Sequence, residues 1–161
     1  MASTRGRSGP EPVHQRPGDH TAATLITDLP FGPRAAEIAR EAVSVALRGD
    51  IEADLVDDAR LIGSELATNA FTSGSPPLVL CIDRIKRIEE RFEVEITVTD
   101  GGCPLPAAST TPGPPDQAES GRGLVIVKAL ADAWSLTTST QGSRAWCRLT
   151  RSARSDRGAT R

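Results

Sequence analysis

Leu78-Val79-Leu80-Cys81-Ile82-Asp83-Arg84-Ile85 and Phe92-Glu93-Val94-Glu95-Ile96-Thr97-Val98-Thr99 flank the charged stretch Lys86–Arg91. Both runs are rich in β-branched residues, and the polar stretch between them suits a turn in solvent, so together they read as a hairpin. Neighbouring strands joined this way pair antiparallel and need no crossover helix. Asp100-Gly101-Gly102 then breaks the second strand sharply.

On the N-terminal side, Gly74 and Pro76-Pro77 end a helix that runs from about Glu52 to Phe71 with Leu55, Ala59, Ile62, Leu66 and Ala70 on one stripe. Before it, Ala35, Ile38, Ala39, Ala42, Val45 and Ala46 recur at helical spacing, opened by Pro33 and stopped by Gly49. Thr21–Thr27, followed by Asp28-Leu29-Pro30, suits an edge strand. On the C-terminal side, Cys103–Ser120 carries many Pro, Ser and Thr and no periodicity, so it reads as a long loop, a kind that in compact domains is usually functional or disordered. Gly121–Ala133 resumes helical spacing through Leu124, Val127, Leu130 and Ala131, and Trp134–Thr140 with Ala145–Thr150 close the chain as a hairpin around Gln141-Gly142. The order strand, two helices, two strands, loop, helix, two strands predicts an α+β fold: a two-layer α/β sandwich with helices on one face of a mixed, mainly antiparallel sheet.

The 161 residues suffice for one domain with a real core. Residues 1–20 hold hardly a large apolar side chain and are expected to form a disordered arm, and residues 151–161 a flexible basic tail, leaving 21–150 as the domain. The net charge of -2 gives no electrostatic footprint for nucleic acid, and aromatics at 3% provide no stacking platform for it. Trp134 and Trp146 are expected in the core or at a partner surface, and Arg84, Lys86, Arg87 and Arg91 on a solvated hairpin. Cys81, Cys103 and Cys147 form no C-x-x-C pair, so neither a disulfide framework nor a zinc site is expected, and a reducing cytoplasm is the natural home. No apolar run approaches the roughly 20 residues of a membrane span, and no signal-peptide h-region stands at the start.

Three short stretches carry chemistry. In Glu65-Leu66-Ala67-Thr68-Asn69-Ala70, with Ile62 set at zero and about 100° per residue, Asn69 falls near roughly -20° and Glu65 near roughly -60°. An amide and a carboxylate one turn apart thus sit on and beside a buried stripe, where unpartnered polar groups are costly. Either Glu65 escapes to the helix edge and Asn69 back-bonds to the backbone, or the pair borders a cavity and holds Mg2+, which favours oxygen ligands. At Asp100-Gly101-Gly102 an acid ends a strand just before glycines. That is either a plain turn or a carboxylate placed to accept from an exocyclic amine, with glycines admitting a flat ring. Ser120-Gly121-Arg122-Gly123-Leu124 opens a helix after the long loop, either as a pliant start or as an anion site of free N–H groups.

Taken together in this order, these stretches resemble the GHKL (Bergerat-fold) ATPase superfamily over nearly all of Thr21–Thr150. Glu65–Asn69 looks like its N box, Asp100-Gly101-Gly102 its first glycine box, Cys103–Ser120 its ATP lid and Gly121–Leu124 its second glycine box. The wording Ser64–Ala70, Ser120–Leu124 and Leu130-Ala131-Asp132-Ala133-Trp134 is similar to the stand-alone branch of anti-sigma-factor serine/threonine kinases. Two departures stand out: Phe71-Thr72-Ser73 follows Ala70 where a basic or His residue is common, and Gly142-Ser143 stands where Gly-Lys is usual.

The resemblance implies ATP and Mg2+ as ligands. Asp100 would take the adenine amine, Gly102 would line the base, Asn69 would coordinate Mg2+, and the backbone of Gly121, Arg122, Gly123 and Leu124 would hold phosphates. Glu65 is expected to be the general base and Arg122 to offset developing charge. The implied partners are an anti-sigma-factor antagonist protein that receives phosphate on a serine, a sigma factor, and a second copy of the chain as a homodimer, with no nucleic acid and no membrane. The alternative is a nucleotide-binding module that sequesters a sigma factor without kinase activity. A sensor kinase's ATPase domain fits less well, because no helix with a phosphoacceptor His precedes Thr21.

Overall fold

The computed structural model describes residues 20–49, 51–86, 91–103 and 120–152. The expected arm before His20, the Lys86–Arg91 turn at 87–90, the lid at 104–119 and the tail from 153 lie outside the described residues.

The elements follow the expected order. They are β1 (His20–Leu29), α1 (Ala35–Ala46), α2 (Ala53–Ser73), β2 (Leu78–Lys86), β3 (Arg91–Asp100), α3 (Ser120–Leu130), β4 (Ala133–Thr138) and β5 (Ser143–Ser152). The sheet runs β1-β2-β3-β5-β4, and every pairing is antiparallel, so the mainly antiparallel sheet is present without the parallel pair that "mixed" allowed. α1 begins two residues after Pro33, and its chain leaves through Gly49 at φ +118°, a conformation glycine adopts without a Cβ penalty.

Period-two alternation puts one face of each central strand under the helices: Leu78, Leu80 and Ile82 on β2, Val94, Ile96 and Val98 on β3, Ala145, Cys147 and Leu149 on β5. Against them α1 sets Ala35, Ala39 and Val43, and α2 sets Leu55, Ala59, Ile62, Leu66, Ala67 and Ala70. The small alanines let helix and sheet approach closely, and a Cβ at Gly63 would lie 3.1 Å from a Val43 methyl, which marks how tightly α1 and α2 meet.

The other face of the sheet carries polar cross-strand pairs. Glu95 accepts from the Trp146 indole N–H at 3.2 Å and from Arg148 Nε at 3.0 Å, and Arg148 also approaches the buried Glu93 at 4.0 Å. Trp146 therefore stands on this polar face, under the Arg148 guanidinium, while Trp134 packs against the core beneath Lys128. Arg84 departs from the expected solvated hairpin. It is half-buried, donates from Nη1 to the Arg48 carbonyl at 2.8 Å and lies over Phe92, tying β2 to the loop after α1. At the far end, Arg151 bonds Asp58 at 2.9 Å while Asp132 accepts from the Thr150 N–H, so α2, the turn after α3 and β5 are joined.

Candidate functional site

A cavity of about 390 Å3 opens between the C-terminal half of α2 and the ends of β3, β4 and β5, within the range of small-molecule sites. α2 delivers Leu66, Asn69, Ala70 and Ser73, β3 delivers Val98 and Asp100, and Cys103 lies just beyond. The apolar stripe of α2 thus does two jobs: its first turns seal the core, and its last turns form the cavity's wall. Back-bonding along this helix falls to Ser64, Thr68 and Thr72, whose hydroxyls donate to carbonyls three or four residues earlier, while Asn69 lines the cavity.

Asp100 is held by its surroundings. Its Oδ1 accepts from the Gly102 N–H at 2.7 Å, which closes a tight turn. A Cβ at Gly74 would lie 2.6 Å from Asp100 Oδ2, so the carboxylate packs directly on the backbone where α2 ends. Gly102 has φ +93°, and a Cβ there would collide with the Ser139 carbonyl oxygen at 2.7 Å and the Gly142 nitrogen at 2.6 Å. Ser75 Oγ donates to the Gly102 carbonyl at 2.6 Å, the Gly101 N–H to the Ser75 carbonyl at 2.6 Å, and the Cys103 N–H to the Ser139 carbonyl at 3.0 Å. Three segments are clasped here: the turn after α2, the end of β3 and the β4–β5 turn. Asp100-Gly101-Gly102 is therefore more than a turn, since its glycines let three backbones meet around a fixed carboxylate.

Glu65 sits half-buried one turn before Asn69, where α2 meets α3. A Cβ at Gly123 would lie 2.8 Å from Glu65 Oε2, so the carboxylate rests against the first turns of α3. The structure thereby brings Asn69 and Asp100 to one cavity and Glu65 to the neighbouring helix start, while Gly102, expected to line the base, is buried against the Ser139 and Gly142 backbone and is not part of the cavity lining. Gly121 and Arg122 fall in the first turn of α3, and Leu124 is half-buried on α3.

Leu136, Thr138, Ser139, Thr140, Ser143 and Ala145 complete the cavity from the β4–β5 hairpin. Nothing in the sequence alone marks these as site residues, although Ser73 and Ser143, both departures from the family wording, line the cavity. Among the described residues no group of three or more His, Cys, Asp and Glu could hold a metal ion. A cation here would have to be one that binds through few protein oxygens and keeps other ligands from water and phosphate, the habit of Mg2+, and the Asn69 amide fits that demand.

The histidine kinase-like ATPase domain model matches residues 31–149, spanning all three helices, the cavity and most of the β4–β5 hairpin. The chain belongs to that family. Such a domain implies a nucleotide ligand and a kinase-like ATPase module, which agrees with the expected GHKL resemblance. No curated protein matches the chain. Among solved structures, it is similar to the RsbU and RsbW domains of Rv1364c from Mycobacterium tuberculosis, with a TM-score of 0.57 and 17% identity over 83% of this chain. The match takes in 34% of that protein's chain, and at this identity it speaks for the fold. No described helix of this histidine kinase-like ATPase domain is long and apolar enough to cross a membrane.

Proposed function

We propose that this domain is an ATP-dependent serine/threonine protein kinase of the anti-sigma-factor kind, working in the cytoplasm and transferring phosphate to a serine of an antagonist protein. The observation that carries the reading is the joint placement of Asn69 and Asp100 in one cavity with Glu65 a turn away against α3. The RsbW domain in the structurally similar protein is in keeping with it.

In this reading Asp100, fixed by the Gly102 N–H and packed on Gly74, accepts from the exocyclic amine of adenine with its remaining lone pairs. Leu66, Ala70, Val98, Leu136 and Ala145 enclose the base with apolar surface, and Gly102 acts behind it by letting the β4–β5 turn close on the end of β3. Asn69 would ligate Mg2+, which when bound neutralises phosphate charge. The backbone N–H groups of Gly121, Arg122, Gly123 and Leu124 at the start of α3 would hold phosphate oxygens.

Phosphoryl transfer asks chiefly for positioning and charge stabilisation. The serine Oγ bonds to the γ-phosphorus as the bond from that phosphorus to the β–γ bridging oxygen breaks. ADP leaves, and the hydroxyl proton passes to Glu65, which as a half-buried carboxylate one turn from Asn69 is within the same corner of the site. Arg122 offsets the charge that develops on the transferred group.

Calorimetry with ATP and ADP at millimolar Mg2+ tests the ligand, and transfer from [γ-32P]ATP to candidate antagonist proteins tests the reaction. Binding with transfer that collapses in Glu65→Gln supports the reading. Transfer undiminished in Glu65→Gln removes the base assignment. Nucleotide binding with no transfer to any antagonist, and sigma-factor affinity untouched by Glu65→Ala, replaces the kinase by a sequestering module.

A further inference from the structure

We infer that Gly123 is a positioning residue for Glu65: its missing side chain is the space in which the Glu65 carboxylate sits. The inference rests on the reading of Glu65 as the general base. It assigns Gly123 a task separate from the phosphate contact that its place in a glycine-rich helix start suggests.

The geometry is specific. A Cβ at Gly123 would lie 2.8 Å from Glu65 Oε2, closer than Cβ atoms approach other heavy atoms, yet 3.6 Å from Glu65 Cβ and 3.8 Å from Cδ, which are ordinary contacts. The conflict is confined to one carboxylate oxygen. Gly123 lies inside α3 and has no positive φ among the described glycines, so the backbone does not require glycine there. A glycine within a helix is less favourable than alanine, because it loses more backbone freedom on folding. That cost is incurred at a position that faces Glu65. An alanine would be accommodated by rotating the Glu65 side chain, because Oε2 is the far end of a flexible chain. The fold would survive while the carboxylate moved off its place beside α3.

A base displaced by about an ångström loses much of its effect, since proton transfer needs hydrogen-bond reach and general bases contribute roughly 10²–10⁴-fold. The helix start, by contrast, keeps its N–H groups whatever side chain position 123 carries. Gly123→Ala is therefore expected to separate chemistry from nucleotide binding. Glu65→Asp shortens the side chain by one methylene and withdraws the oxygen from the new methyl group. The pair Gly123→Ala with Glu65→Asp should recover part of what Gly123→Ala loses.

The experiment follows hydrolysis of [γ-32P]ATP with water as acceptor, ATP affinity by calorimetry at millimolar Mg2+, and the 13C resonance of the Glu65 carboxyl carbon in the nucleotide-free protein. For Gly123→Ala we expect kcat to fall about 10–100-fold, by more than any accompanying loss of ATP affinity, and the Glu65 resonance to shift without nucleotide. In the double variant kcat should rise at least about fivefold above Gly123→Ala, although Glu65→Asp alone lowers it. Unchanged kcat and an unmoved Glu65 resonance in Gly123→Ala would overturn the inference. So would a loss of ATP affinity as large as the loss of kcat, which would return Gly123 to the phosphates, or a double variant no faster than the single one. Failure of the underlying reading looks different: Glu65→Gln would then hydrolyse ATP as fast as the unaltered protein.

Discussion

Under α1 and the first turns of α2, Leu80, Ile82, Val94 and Ile96 are no more than 1% exposed, whereas at the β4 end Leu136 is 37% exposed and Thr138, Ser139 and Thr140 are open to solvent. The same sheet is thus sealed at one end and open at the other. The difference lies in the helices. α2 supplies eight buried residues, the earlier ones over the sealed end and Leu66 and Ala70 at the cavity wall, while α3, only 11 residues long, leaves the ends of β3, β4 and β5 uncovered among the described residues. A sheet face that the described residues leave uncovered offers apolar surface to a ligand. The clasp at Gly102 keeps that opening in shape without filling it.

The comparison is most easily broken by truncating side chains on both sides of it. Leu80→Ala or Ile96→Ala should lower unfolding free energy in urea by about 2–5 kcal/mol, because a cavity remains in a core that cannot collapse. Leu136→Ala should cost less than about 1 kcal/mol, its side chain being partly in water already. Equal losses would mean the two ends are packed alike.

Thiols sharpen the contrast in alkali. Burial pushes the Cys147 thiol up from 9.0 to about 12, so between those values the folded state keeps a proton that the unfolded chain has released. Stability must then fall as pH rises through that window, by up to about 1.4 kcal/mol per pH unit from this group. The chain has no tyrosine to obscure the effect. The stability difference between the unaltered protein and Cys147→Ala, measured by urea denaturation at successive pH values, should narrow as pH rises above 9, and a constant difference would contradict sealed burial at Cys147.

At the open end, Asp100→Asn should weaken Mg·ATP binding by about 1–3 kcal/mol in calorimetry, with a smaller change in stability, as expected where one buried partner is exchanged in a ligand contact. A variant that instead loses its fold would show that the carboxylate serves the Gly102 clasp first. The smallest effect belongs to the edge. Ile26→Ser on β1, at a residue 68% exposed, should stay within about 0.5 kcal/mol in thermal unfolding.

What could be read in advance follows the same division. Apolar periodicity placed the sealed core, since Leu55, Ala59, Ile62, Leu66 and Ala70 recur on the helical period and all are buried. Asn69 and Asp100 were legible because polar groups next to a buried stripe and at a strand end are conspicuous. The β4–β5 wall was not. Thr138, Ser139, Thr140 and Ser143 are small and polar, indistinguishable from any hairpin turn until the fold sets them opposite α2. Arg84 was hidden for a related reason: in a run of charges, nothing local tells which guanidinium will lie flat on the protein and reach a carbonyl. The packing of Glu65 on Gly123 joins two helices distant in sequence, and spacing within either one carries no trace of it.

The position of β5 between β3 and β4 has a consequence for a chain still emerging from the ribosome. α1 with α2 and the β2–β3 hairpin rest on contacts close in sequence, and such contacts form early. By the time β3 is made, Glu65, Asn69 and Asp100 all exist, but the wall opposite them does not. Leu136 to Ala145 must first be synthesised, and β5 must insert along β3, pairing Val94 with Leu149 and Asp100 with Ser143. β4 reaches the sheet only through β5. A chain halted after β3 would therefore carry these three polar residues without the cavity they line or border, and nucleotide binding becomes a report that synthesis has run into β5.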